Sequence, residues 1–201
     1  MRLAPLAVPL LAASLGAALT GCLTIGPQAL STDGLAPLTQ SSNAARGTDF
    51  SDRMILTGLS VGAEIPGLIG LSATTLSGTQ RSTDAVGQTV EASASLTDAT
   101  LSLGYPVYMV SPRVALLLGG QWTLRSTQVG GNEGTSFILA PRAVLVGEIT
   151  RHLSATAHAA YDVPVIDNEM LLEVRGTPVR AGMSGVRAGV NLTYTFGLDW
   201  F

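Results

Sequence analysis

The side chains able to do chemistry are few in this sequence of 201 residues. It carries 14 Asp and Glu, 11 cations that are all Arg, two His and one Cys. One Cys and two His fall short of the roughly four N or S ligands that a zinc cluster needs. His152 and His158 lie six residues apart on one strand face, about 20 Å at roughly 3.3 Å per residue, so they cannot share a metal ion. That leaves Arg–carboxylate pairing as the main chemistry. Charges taken out of water are stable only when paired, so the elements that position these groups decide what they do.

Those elements read as strands. Val186, Ala188, Val190, Leu192, Tyr194, Phe196, Leu198 and Trp200 alternate with Arg187, Gly189, Asn191, Thr193, Thr195, Gly197 and Asp199. Successive strand side chains point to opposite faces, so one face is apolar and the other polar. The same period runs through 113–125, through 139–149 and through 152–163. It recurs where Leu101, Leu103, Tyr105, Val107 and Met109 oppose Thr100, Ser102 and Gly104. Weaker strands are predicted over 53–64, 67–76 and 86–97, giving about eight. The break at Thr97-Asp98 reads as a turn or as a phase-shifting bulge. Turn signals include Ser111-Pro112, Thr150-Arg151 and Gly130-Gly131-Asn132-Glu133-Gly134. No helix of useful length is predicted after the leader.

The chain begins Met1-Arg2, followed by the uncharged run Leu3 to Leu19 and then Leu19-Thr20-Gly21-Cys22. Pro5 and Pro9 argue against a membrane-spanning helix there, and the pattern is that of a targeting segment. Leu19-Thr20-Gly21-Cys22 resembles the lipobox of bacterial lipoproteins. The resemblance implies that residues 1–21 form a lipoprotein signal peptide and that Cys22 is acylated at its thiol. It also implies an outer-membrane destination, because Leu23 and not Asp follows the Cys. Residues 22–52 hold Gly26-Pro27, Asp33-Gly34, Ala36-Pro37 and Thr39-Gln40-Ser41-Ser42-Asn43, a composition of loops. They read as the acylated Cys and a flexible tether, leaving 53–201 as the folded domain.

Composition decides which strand face is outside. Apolar residues make up 46% and charged residues 12%, against roughly 25% charge in an average soluble domain. The polar faces are mostly Gly, Ser, Thr and Ala, too poor in charge for a water-exposed surface. Small side chains suit a narrow eight-stranded interior. Trp122, Tyr194, Phe196 and Trp200 lie late in their strands on the apolar face, where membrane barrels place interfacial aromatics. The expected fold is an all-β, antiparallel, up-and-down transmembrane β-barrel. The last segment, Tyr194 to Phe201, resembles the C-terminal strand of small bacterial outer-membrane β-barrel proteins, with the terminal Phe201 shifted to the polar phase. That resemblance implies contact with outer-membrane lipid and recognition by the barrel-assembly machinery. The net charge of −3 offers nucleic acid no basic footprint.

With apolar faces outward, the lumen receives Glu64, Glu91, Arg113, Arg125, Arg142, Glu148, Asp162, Arg187 and Asp199. Arg–carboxylate bridges across the lumen are expected, with Arg142 and Glu148 among them, plugging a narrow barrel. The His residues are expected to form lumenal hydrogen bonds. His152-Leu153-Ser154 is similar to the His-x-Ser of the lipid A deacylase family, which would require Asp162 or Asp167 as the acid. The sequence departs at Ala155, where that family has Asn. Val165 to Ser184 is the longest irregular stretch and the expected last outward loop, with Asp167, Asn168, Glu169, Glu173, Arg175 and Arg180 around Met170-Leu171-Leu172. The leading function is a non-enzymatic outer-membrane barrel in envelope structure or surface binding, without cofactor or metal. The runners-up are a lipid-anchored soluble barrel binding a small apolar ligand and, behind it, a lipid-modifying hydrolase.

Overall fold

The computed structural model describes residues 22–167, 172–174 and 177–196. Eight strands close into one antiparallel barrel: β1 (Cys22–Thr32), β2 (Met54–Ile65), β3 (Ile69–Thr83), β4 (Thr89–Ser111), β5 (Val114–Val129), β6 (Asn132–Thr150), β7 (Leu153–Asp167) and β10 (Gly185–Thr195). Each strand pairs with its neighbours in sequence, and β1 closes the ring against β10. Helix α1 (Ala36–Arg46) lies between β1 and β2. The short β8 (Leu172–Val174) and β9 (Thr177–Val179) form a separate hairpin between β7 and β10.

Three short turns, at 66–68, 112–113 and 151–152, share one end of the barrel with Cys22 and Thr195. The longer connections, 33–53, 84–88 and 168–184, share the other end with the two-residue turn 130–131. Near the turn end the outward residues are apolar. Ile25, Leu59, Ile69, Leu103, Leu118, Leu145, Tyr161 and Leu192 are all exposed. Their inward neighbours Thr24, Ser60, Thr74, Ser102, Gln121, Thr156 and Thr193 are buried. Along β4 the apolar outward run from Ala99 to Tyr108, with a bulge at Val107, covers about 30 Å of strand. At a tilt of roughly 40° that is about 23 Å of height, close to the apolar band of an outer-membrane barrel.

Near the loop end the polarity inverts without any change of strand phase. In β4 the inward positions Val90, Ala92, Ala94 and Leu96 are apolar and buried, then Asp98, Thr100 and Ser102 are polar and buried. Outward, Glu91 and Ser93 are polar and exposed, whereas Leu101 and Leu103 are apolar and exposed. The loop half therefore has the pattern of a water-exposed barrel around an apolar core. That core joins Leu30, Leu56, Leu76, Leu96 and Val129 to Leu35, Phe50, Val179, Ala181 and Met183 from the connections.

Three expectations are corrected. Residues 22–52 are not a flexible tether, because Cys22–Thr32 is a barrel strand paired on both sides. Gly26 and Pro27 mimic a turn, yet both are paired with β2 at a point where the β1–β10 ladder is interrupted. Ala36–Arg46 is helical, with Pro at its first turn and Gly47 at φ 66° closing it. The segments predicted around 86–97 and 101–109 form the single strand β4, so eight strands arise from one addition and one merger. The last outward connection also starts later than Val165, since β7 runs to Asp167. Residues 1–21, 168–171, 175–176 and 197–201 lie outside the description, and with them Asn168, Glu169, Met170, Leu171, Arg175, Asp199, Trp200, Phe201 and the lipobox residues before Cys22.

Candidate functional site

The lumen holds four charged side chains where the polar half meets the apolar half. Asp98 comes from β4, Arg125 from β5, Asp162 from β7 and Arg187 from β10. Asp98 and Arg125 are direct cross-strand partners, and their side chains form a two-point bridge at 3.0 and 3.1 Å. On the facing wall Arg187 bonds Asp162 at 2.9 and 3.3 Å. Arg125 also bridges to Asp162, and Arg187 to Asp98, so both pairs are tied across the lumen. All four residues are almost completely buried. Two carboxylates facing two guanidinium groups balance in charge, which makes such burial tolerable.

This cluster also fixes the lid above it. Arg125 Nη1 donates to the Met183 carbonyl at 2.8 Å. Thr127 Oγ1 donates to the Ala181 carbonyl at 2.7 Å. The chain before β10 is thereby held in the barrel mouth, with Ala181 and Met183 in the apolar core. Gln121 Nε2 reaches Asp162 from below at 3.5 Å.

Toward the turn end, Arg142 Nη2 donates to Glu64 at 3.2 Å, and the Gly67 amide donates to the same Glu64 oxygen at 3.1 Å. Gln28 Nε2 donates to Asn191 at 2.9 Å and turns its carbonyl oxygen to His158 Nε2, also at 2.9 Å. His158 Nε2 is therefore the donor of that pair. Thr100 and Thr123 are in contact at 2.9 Å, and Thr74 donates to Ser60 at 3.0 Å. Between these groups remains a cavity of about 30 Å³, room for a couple of waters. Arg142 Nε and His158 Nδ1 are buried there without a protein partner. The lumen is a filled interior, not an open channel.

Of the nine charges expected inside, Glu64, Arg125, Arg142, Asp162 and Arg187 are buried and bridged. Three are not. Glu91 faces outward and pairs at 2.6 Å with Arg81, both exposed, because the loop half has inverted polarity. Arg113 sits exposed in the turn 112–113. Glu148 has the inward phase but is exposed near the end of β6, so Arg142 takes Glu64 as its partner instead. Asp199 lies outside the described residues. Asp98, the carboxylate that completes the cluster, stands outside the nine because Thr97-Asp98 reads as a break in the sequence, although its direct partner Arg125 is one of them.

His152, Ser154 and Asp162 do not converge. His152 is exposed in the turn beside Tyr194, with ring centroids 6.3 Å apart. Asp162 lies eight residues from Ser154 on the same strand, about 26 Å away, and is bound by Arg125 and Arg187. The side chain of Asp167, the other candidate acid, lies outside the described residues. Cys22 is buried at the turn end, where its thiol donates to Thr195 Oγ1 at 3.4 Å.

No protein-family model matches the chain, and no curated protein matches it in sequence. Similar solved structures include these two. Neisserial surface protein A is 15% identical, with a TM-score of 0.49, covering 88% of this chain and 98% of its own. The outer membrane protein OprG from Pseudomonas aeruginosa is 13% identical, with a TM-score of 0.46, covering 88% and 97%. The class of this chain is fixed by its own strand pairing: a closed, eight-stranded, up-and-down antiparallel barrel.

Proposed function

We propose that this chain is a non-enzymatic outer-membrane β-barrel. Its turn half crosses the lipid, and its loop half stands in water as a closed, structured surface for envelope architecture or surface binding. The observation that carries this reading is the sidedness of the last strand. Leu192 is 48% exposed whereas its neighbour Thr193 is fully buried. A soluble barrel would reverse that pair. Long connections face outward and short turns face the periplasm in such barrels, so this reading puts α1 and the connection between β7 and β10 on the outer side.

The test is solubility and gel mobility of the folded chain. The folded protein should require detergent and migrate faster before boiling than after it. A detergent-free, soluble monomer would overturn the reading. The same proposal makes residues 1–21 the export signal and Cys22 the acylated residue. The anchor then sits at the start of β1 at the periplasmic rim, with no tether between them. Acyl labelling in cells should disappear in a Cys22→Ala variant; label retained in that variant would refute the assignment.

The runner-up reading expects an apolar interior. Such an interior exists in the loop half, but Leu30, Leu56, Leu76 and Leu96 are packed there against the connections. The opening left for a small molecule is the cleft beside that core.

A further inference from the structure

At the loop end β4 outruns its neighbour. Its pairing with β5 ends at Ala94 opposite Val129, so Thr89 to Ser93 has no strand on that side among the described residues. Beside this free edge lies a cleft of about 200 Å³ between α1 and the β5–β6 turn. Its walls include Leu38 from α1, Phe50, and the inward residues Val90, Ala92 and Val129. Phe50, Val90, Ala92 and Val129 are buried, so these walls are fixed by the core and not by loose side chains. Ser42 supplies a hydroxyl at the rim, whereas the buried Thr39 hydroxyl donates to the Ala36 carbonyl at 3.0 Å.

We propose that this cleft binds a small uncharged amphiphile: one or two rings among Phe50, Val90 and Val129, with a single hydrogen-bonding group turned to the β4 edge. The volume sets the class of ligand. A cavity of about 150 Å³ lined by apolar side chains takes a benzene ring, and drug-sized ligands need roughly 300–1,000 Å³. About 200 Å³ therefore suits a fragment and is too small for several residues of a peptide. The unpaired strand edge supplies main-chain N–H and C=O groups, which suit a neutral polar group better than a charge. The proposal rests on the water-exposed position of the loop half.

The probe is indole, titrated into the full folded chain in detergent micelles and followed by NMR. Saturable shifts are expected at the Val90 and Val129 methyls and at the Thr89–Ser93 amides. Ala92→Trp fills the cleft from the strand and Ser42→Trp from the helix. Each should weaken binding about tenfold or more, with heat-modifiable mobility confirming the fold of each variant. Shifts confined to girdle residues such as Leu101 and Leu192 mean partition into the micelle and overturn the proposal. Shifts that survive both tryptophan variants overturn it as well. If indole fails and an extended valine–threonine peptide moves the Thr89–Ser93 amides, the edge serves strand addition and the small-ligand assignment is wrong. Because the readout is made in micelles on a folded barrel, it fails independently of the outer-membrane assignment, which is tested by solubility.

Discussion

Asp98 is one of two carboxylates that balance two buried guanidinium groups in the lumen. Without it, two guanidinium groups face one carboxylate in a space closed to bulk water. Breaking a buried ion pair by removing one partner costs about 3–5 kcal/mol. Asp98→Asn is therefore expected to lower the urea midpoint of the refolded barrel strongly, read through tryptophan fluorescence. Glu91→Gln removes an exposed partner of Arg81 and should leave the midpoint almost unchanged, since exposed pairs contribute little. Equal effects of the two substitutions would contradict the burial of the cluster. At this scale the sequence was partly legible. Arg125, Asp162 and Arg187 announce themselves as charges on strongly alternating strands. Asp98 does not, because it stands where the inward face of β4 turns from apolar to polar, and there an acid next to Thr97 looks like a turn.

The elements were legible wherever outward and inward residues differ in kind along the whole strand. The stretch from Val186 to Phe196 shows its two faces without help from tertiary structure. β4 and β3 do not, since each reverses its hydrophobic sense partway along. In β3 the outward run Ile69, Leu71, Ala73 gives way to Ser77, Thr79 and Arg81. β1 hid behind Gly26-Pro27, although Leu23 and Ile25 face outward and Thr24, Gln28 and Leu30 inward. The helix was legible in its punctuation, Pro37 near its start and Gly47 past its end, but not in apolar periodicity. Two predictions belong here. A β-carbon at Gly26 would collide with the Val190 carbonyl of β10, so Gly26→Val should prevent closure and abolish heat-modifiable mobility. Leu103→Arg should cost about 2–4 kcal/mol, the penalty for a cation on the lipid face near the midplane. Ser77→Arg, outward but above the girdle, should cost close to nothing. A similar cost at both positions would remove the boundary between lipid and water.

For the whole molecule, the two halves of the barrel solve different solvation problems with one continuous set of strands. The turn half puts apolar side chains outward and pairs its buried charges within. The loop half puts polar side chains outward and packs an apolar core beneath α1 and the chain before β10. The four-charge cluster sits at the crossover, where it closes the lumen and holds Met183 in place. Overall alternation is enough to predict a barrel, but not this division, because composition averages the two halves together. The division is tested most directly by nitroxide labels at outward positions down β4, each introduced as cysteine in a Cys22→Ser background and folded into bilayers. Labels replacing Ala99 and Leu103 should collide mainly with dissolved oxygen, as lipid-buried sites do. Labels replacing Glu91 and Ser95 should collide mainly with a water-soluble paramagnetic reagent. A water-dominated profile at all four positions would contradict the account.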